Sequence, residues 1–141
     1  MELVSLLVCE AANNTPDGRM NILGGGVDKI FANKLPISVN LTISMRIETH
    51  ITEAGMHKIS VMFIDADGAQ AMPPLNLQIE IPKGTRFMNS IVNIGNIIFS
   101  KFGTYSFEVL FDGVHKKSWP IEVIQVPQDK IQSNQTQNKL S

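Results

Sequence analysis

Ile37-Ser38-Val39-Asn40-Leu41-Thr42-Ile43-Ser44-Met45-Arg46-Ile47-Glu48 alternates apolar and polar residues without a break. A period of two over this length is the pattern of an antiparallel strand with one dry and one wet face, because successive side chains leave a pleated strand on opposite sides. Leu75, Leu77, Ile79 and Ile81 repeat it around Asn76, Gln78 and Glu80, and Tyr105, Phe107, Val109 and Phe111 repeat it again. Each of these strands is expected to keep one face in water.

Outward from these three, less regular apolar segments rich in β-branched and aromatic residues run through Leu3 to Cys9, Met20 to Leu23, Val27 to Phe31, Ile59 to Ile64, Ile91 to Phe99 and Trp119 to Val126. Asp17-Gly18, Ala54-Gly55, Asp67-Gly68 and Asp112-Gly113 supply the positive φ of tight turns, and Pro36, Pro73-Pro74 and Pro82 bracket strand ends. The segments predict an all-β antiparallel sandwich of eight or nine strands with little helix. Residues 1–126 form its single domain, and the Gln-, Asn- and Ser-rich residues 127–141 are expected to form a flexible tail.

Composition narrows the function. A length of 141 residues with 43% hydrophobic and 18% charged residues suits one self-standing core. The net charge is −1 and Lys116-Lys117 is the only adjacent Lys/Arg pair, so no field gathers phosphates and no nucleic-acid partner is expected. No apolar run approaches the roughly 20 residues of a membrane-spanning helix, and no membrane association is expected. Cys9 stands alone, which excludes an internal disulfide and favours a reducing, cytoplasmic setting. Reading Met1 to Ala12 as an export signal meets an acidic Glu2, no basic start, and Val8 rather than a small residue before Cys9.

Phe102-Gly103-Thr104-Tyr105-Ser106-Phe107 resembles the start of the sixth strand in immunoglobulin-like domains. That resemblance implies a structural Gly103 and a Tyr105 hydroxyl bonded back across the corner, with Phe107 where antibody domains place a cysteine. A wider likeness rests on Cys9-Glu10-Ala11-Ala12, Asp17-Gly18-Arg19-Met20-Asn21-Ile22-Leu23-Gly24-Gly25-Gly26, Gly103-Thr104-Tyr105, Asp112-Gly113 and Ile121-Glu122-Val123. On these residues the chain resembles a bacterial family of uncharacterised short β proteins, which implies an immunoglobulin-like fold and carries no known activity, substrate or partner onto these positions.

The reactive residue types form no recognisable constellation. Gly24-Gly25-Gly26 lacks the lysine, hydroxyl and helix of a phosphate loop and reads as a structural bulge or crossing between sheets. Asp65-Ala66-Asp67-Gly68 lacks the closing glutamate of a calcium loop, and Glu48, His50, Glu53 and His57 offer zinc-ligand types around one turn, better read as solvated. Cys9 sits in an apolar strand, and no G-x-S-x-G elbow occurs. Trp119 either caps one end of the sandwich or marks an interface. The expectation is a non-catalytic module without cofactor or metal, binding a protein partner or a second copy through a sheet edge or the neutral face Ser38, Asn40, Thr42 and Ser44. The alternative is a small-ligand pocket among the loops carrying Gly24 to Gly26, His50 and Pro73-Pro74.

Overall fold

A computed structural model describes residues 1–127, so the tail expected over 127–141 lies almost wholly outside the described residues. Ten strands account for nearly all regular structure: β1 (Glu2–Cys9), β2 (Ala11–Asn14), β3 (Met20–Leu23), β4 (Lys29–Ala32), β5 (Ile37–Glu48), β6 (Gly55–Ile64), β7 (Leu75–Ile81), β8 (Phe87–Phe99), β9 (Gly103–Phe111) and β10 (Val114–Gln125). One short 3-10 turn, Ile51–Glu53, links β5 to β6.

Two sheets pack face to face. The first has the order β1-β5-β8 and the second β4-β10-β9-β6-β7; all neighbours are antiparallel except β4, which lies parallel to β10. The period-two pattern aims Leu41, Ile43, Met45 and Ile47 of β5 at Ile59, Val61 and Phe63 of β6 and at Tyr105, Phe107, Val109 and Phe111 of β9, all buried. Phe63 sits at the aromatic centre of this core, stacked on Tyr105 at 5.2 Å, tilted against Phe107 at 4.6 Å and edge-on to Phe99 at 5.5 Å.

The strand count exceeds the expected eight or nine because Ala11–Asn14 is a strand. Its Ala-Ala-Asn-Asn sequence has little β propensity, and its pairing with Met20–Leu23 decides its state. The β2–β3 hairpin lies against the outer face of the first sheet, where the Gly18 carbonyl accepts from Asn89 Nδ2 at 2.9 Å and from Arg46 at 3.4 Å. The wet face expected along β5 is therefore only partly wet: Ser38 and Asn40 are exposed, whereas Thr42 and Ser44 are buried beside Cys9. Cys9 is not in the core between the sheets; its Sγ lies 3.3 Å from Ser44 Oγ on the opposite, outer side of the sheet.

Candidate functional site

Gly24, Gly25 and Gly26 carry the chain from the hairpin toward the second sheet. Gly24 and Gly26 have φ of +62° and +94°, and a Cβ on Gly25 would stand 2.6 Å from Leu7 Cδ2. The crossing caps β1, since the Val8 carbonyl accepts from both Gly26 and Val27 N–H at 2.9 Å. Gly103 opens β9 at φ +127°. The buried Tyr105 hydroxyl accepts from the backbone N–H of Ser100 at 3.2 Å and of Lys101 at 3.1 Å. Trp119 packs half-buried against the core, its Nε1 donating to the Val27 carbonyl at 2.8 Å.

The candidate metal ligands find separate partners. Glu48 pairs with Arg86 at 3.4 Å, and Glu53 accepts from the His50 N–H at 2.9 Å. Met1's amino group, bonded to the Glu53 side chain, holds that carboxyl below its usual range. His57 Nδ1 lies 2.6 Å from Asp112 Oδ2, and Nε2 donates to the Glu53 carbonyl at 2.6 Å. Both ring nitrogens therefore face oxygen atoms, an arrangement that favours the protonated ring. Asp112, then the Glu53 carbonyl, raise the His57 pKa accordingly. Among the described residues no group of three or more His, Cys, Asp or Glu could hold a metal ion. Asp65 is used by its own turn, accepting from Asp67 and Ala69 N–H, with Lys101 bridging it to Asp67.

A Ser-His-Glu group that sequence spacing did not reveal sits on β9 and β10. His115 Nε2 lies 2.7 Å from Glu108 Oε2 and 3.1 Å from Ser118 Oγ, while Ser118 also donates to Glu108 and Ser106 Oγ lies 3.0 Å from Oε1. Burial opposes charge on Glu108, but the bonds from Ser118, His115 and Ser106 outweigh it and hold the carboxyl low. A hydrolytic triad needs the carboxylate on one ring nitrogen and the serine on the other. Here both meet Nε2, and the serine gives its proton to the carboxylate. This arrangement is not that of a hydrolytic triad.

Of the loops expected to enclose a ligand, that of His50 and the glycine crossing lie apart. Glu2 pairs with Glu48, next to His50, whereas Cys9 at the other end of β1 leads to the glycine crossing. Seven residue steps of about 3.4 Å put these ends roughly 24 Å apart. One depression among the described residues, of 360 Å³ over Ala12, Asn13, Asn21 and Leu23, is open to solvent.

What the fold leaves available is backbone. Among the described residues the two packed sheets have four edges, β1, β8, β4 and β7, besides the two of the β2–β3 hairpin. β1 is bulged at Leu3/Ser5, carries Glu2 and is capped at Val8; β4 has four residues including Lys29; β7 carries Glu80 between Pro74 and Pro82. These are the devices that blunt an edge. β8 has none over most of its length: its 13 residues contain no Asp, Glu, Lys, Arg or Pro. The one irregularity is a slip near Asn96 (φ +54°), opposite Val39 and Leu41, which leaves Phe87–Ile94 in continuous register with β5. At its start the exposed Phe87 ring lies 4.8 Å from the Arg46 guanidinium and 5.1 Å from that of Arg86.

A family model described as a family of unknown function, DUF6941, matches residues 4–124, which is every strand but the ends of β1 and β10. The chain belongs to the DUF6941 family. No curated protein and no solved structure matches it. The motif glycines, Tyr105 and Trp119 all fall within the DUF6941 match, and so does the whole of β8.

Proposed function

We propose that this DUF6941 protein is a non-catalytic interaction module of bacterial, cytoplasmic origin that binds protein by adding a strand to the edge of β8. The carrying observation is that unguarded edge. Every second residue of an edge strand turns its N–H and C=O away from the sheet, and β8 offers this row without a charge or proline to repel a pairing chain. The scaffold reading is an immunoglobulin-like sandwich, supported by the parallel β4–β10 pairing, the Phe63–Phe107 contact and the corner bonds of Tyr105. Support for the cytoplasm comes from Cys9, a free thiol in a protein without disulfides.

The neutral face of β5 has less in its favour as a docking surface, since Thr42 and Ser44 are buried and bonded to Glu10 and Cys9. Site-specific photo-crosslinking in the native host tests the reading. A benzophenone amino acid at Ile91 or Asn93 of β8 is expected to capture protein, and one at Gln78 of β7 is not. Equal yields from the two edges, or none from β8, would overturn it.

A further inference from the structure

We infer that the strand added to β8 is the β8 of a second copy, forming a closed twofold dimer with one continuous six-stranded sheet. This rests on the edge-pairing reading above and names its partner.

The chemistry of the strand favours itself as occupant. An edge that reads a foreign peptide does so through charges and pockets that fix direction and register. β8 has no charge with which to do this, whereas an isologous pair needs only that nothing on the strand repels its own image. In an antiparallel pair with twofold symmetry, residue i faces residue j with a constant even sum, because only residues with outward-turned backbone can bond each other. Centring the straight segment Phe87–Ile94 on Ser90 or Ile91 sets uncharged residues opposite uncharged residues throughout. Outer-face Ile91 then meets Ile91 or Asn89 of its image, and Phe87 meets Gly95 or Asn93.

The nearest charges do not oppose this arrangement. The two Arg86 residues would lie at opposite ends of the paired segment, eight to ten residue steps apart. That is roughly 30 Å at about 3.4 Å per step, several times the screening length of about 8 Å at physiological salt. Pairing also terminates itself: among the described residues it consumes the one unguarded edge of the two packed sheets and leaves β1 at both ends of the new sheet, bulged at Leu3/Ser5 and capped by the glycine crossing. A dimer rather than a fibre results. The hairpin on the outer face does not obstruct it, since Asn89 reaches the Gly18 carbonyl with its side chain and leaves the backbone edge free.

Native mass spectrometry and sedimentation velocity on the full chain test the inference through complementary charge variants. Wild type is expected at twice the monomer mass. Ile91→Lys and Ile91→Glu should each be monomeric, because like charges then stand directly opposite or diagonally adjacent across the axis, and a mixture of the two should recover a 1:1 heterodimer. Gln78→Lys on β7 should remain dimeric. If the Ile91 variants prove misfolded by circular dichroism, hydrogen exchange of wild-type Phe87–Ile94 decides instead, since self-pairing protects this segment more as protein concentration rises and a monomer shows no such dependence. A monomeric wild type at several hundred micromolar, or a dimer that survives the charge variants, would overturn self-pairing. If the wild type is monomeric while β8 still crosslinks a different protein, the edge-binding reading survives with a foreign strand as occupant; with neither, both fail.

Discussion

Asp112 at the tip of the β9–β10 turn holds the ring of His57 on β6 at 2.6 Å, while its other carboxylate oxygen accepts the Lys58 N–H at 2.9 Å. One carboxylate thus ties the hairpin turn to the neighbouring strand. The turn backbone has positive φ at both Asp112 and Gly113, which aims that side chain back over the sheet.

This clasp has a defined pH signature. The folded ring binds its proton more tightly than the unfolded value of 6.5, so its contribution is complete below 6.5 and is lost as pH rises through the higher folded pKa. Asp112, lowered by the Lys58 N–H and then by His57, contributes above its ordinary 3.8 and loses that contribution as pH falls through the depressed folded value. Thermal melts should therefore show a loss on raising pH above neutrality that His57→Gln abolishes. The difference is expected to stay below about 1 kcal/mol, as for solvent-screened pairs. Parallel profiles for the two proteins would contradict the assignment.

Tyr105→Phe keeps the stacked ring and removes the acceptor of two backbone N–H groups at the β8–β9 corner. The expected cost is about 1 kcal/mol in urea unfolding with an unchanged m-value. An unchanged midpoint would mean that water serves Ser100 and Lys101 equally well.

At the glycine crossing, Gly25→Ala would drive a Cβ against Leu7 Cδ2, 2.6 Å away. Overpacking of this kind costs about 1–3 kcal/mol. Since the obstacle is the end of a side chain, Leu7→Ala should relieve part of the cost, visible as positive coupling in a double-mutant cycle. Strict additivity would place the constraint in the backbone instead.

Cys9 reports on the hairpin. Its thiol is fully buried on the outer side of the first sheet, and Asn89 and Arg46 anchor the hairpin turn that lies against that side. Native protein should react slowly with a thiol reagent, and Asn89→Ala should accelerate labelling several-fold without an equal fall in global stability. Identical labelling rates in the two proteins would show that the anchor does not control access.

The period-two stretches of β5, β7 and β9 are legible in sequence because a half-buried strand writes its two faces as alternation. β2 is not, since alanine and asparagine take their conformation from the partner strand. Thr42 and Ser44 read as solvent-facing because no local signal says that a hairpin will fold over them. Glu108 and His115 meet only through the β9–β10 register and its slip between His115 and Lys117. The candidate edge falls between these cases: the uncharged run from Phe87 to Phe99 is visible in the sequence, but only the strand order puts it at an edge.

Hydrogen exchange across a protein concentration series tests the β8 edge most directly, because the outward N–H groups of Phe87–Ile94 face no further strand among the described residues of one copy and would meet a backbone carbonyl in the paired state. Protection of this segment is expected to rise with concentration while the β7 edge, Leu75–Ile81, exchanges at a constant rate. Exchange in β8 that is fast and independent of concentration would contradict pairing between copies.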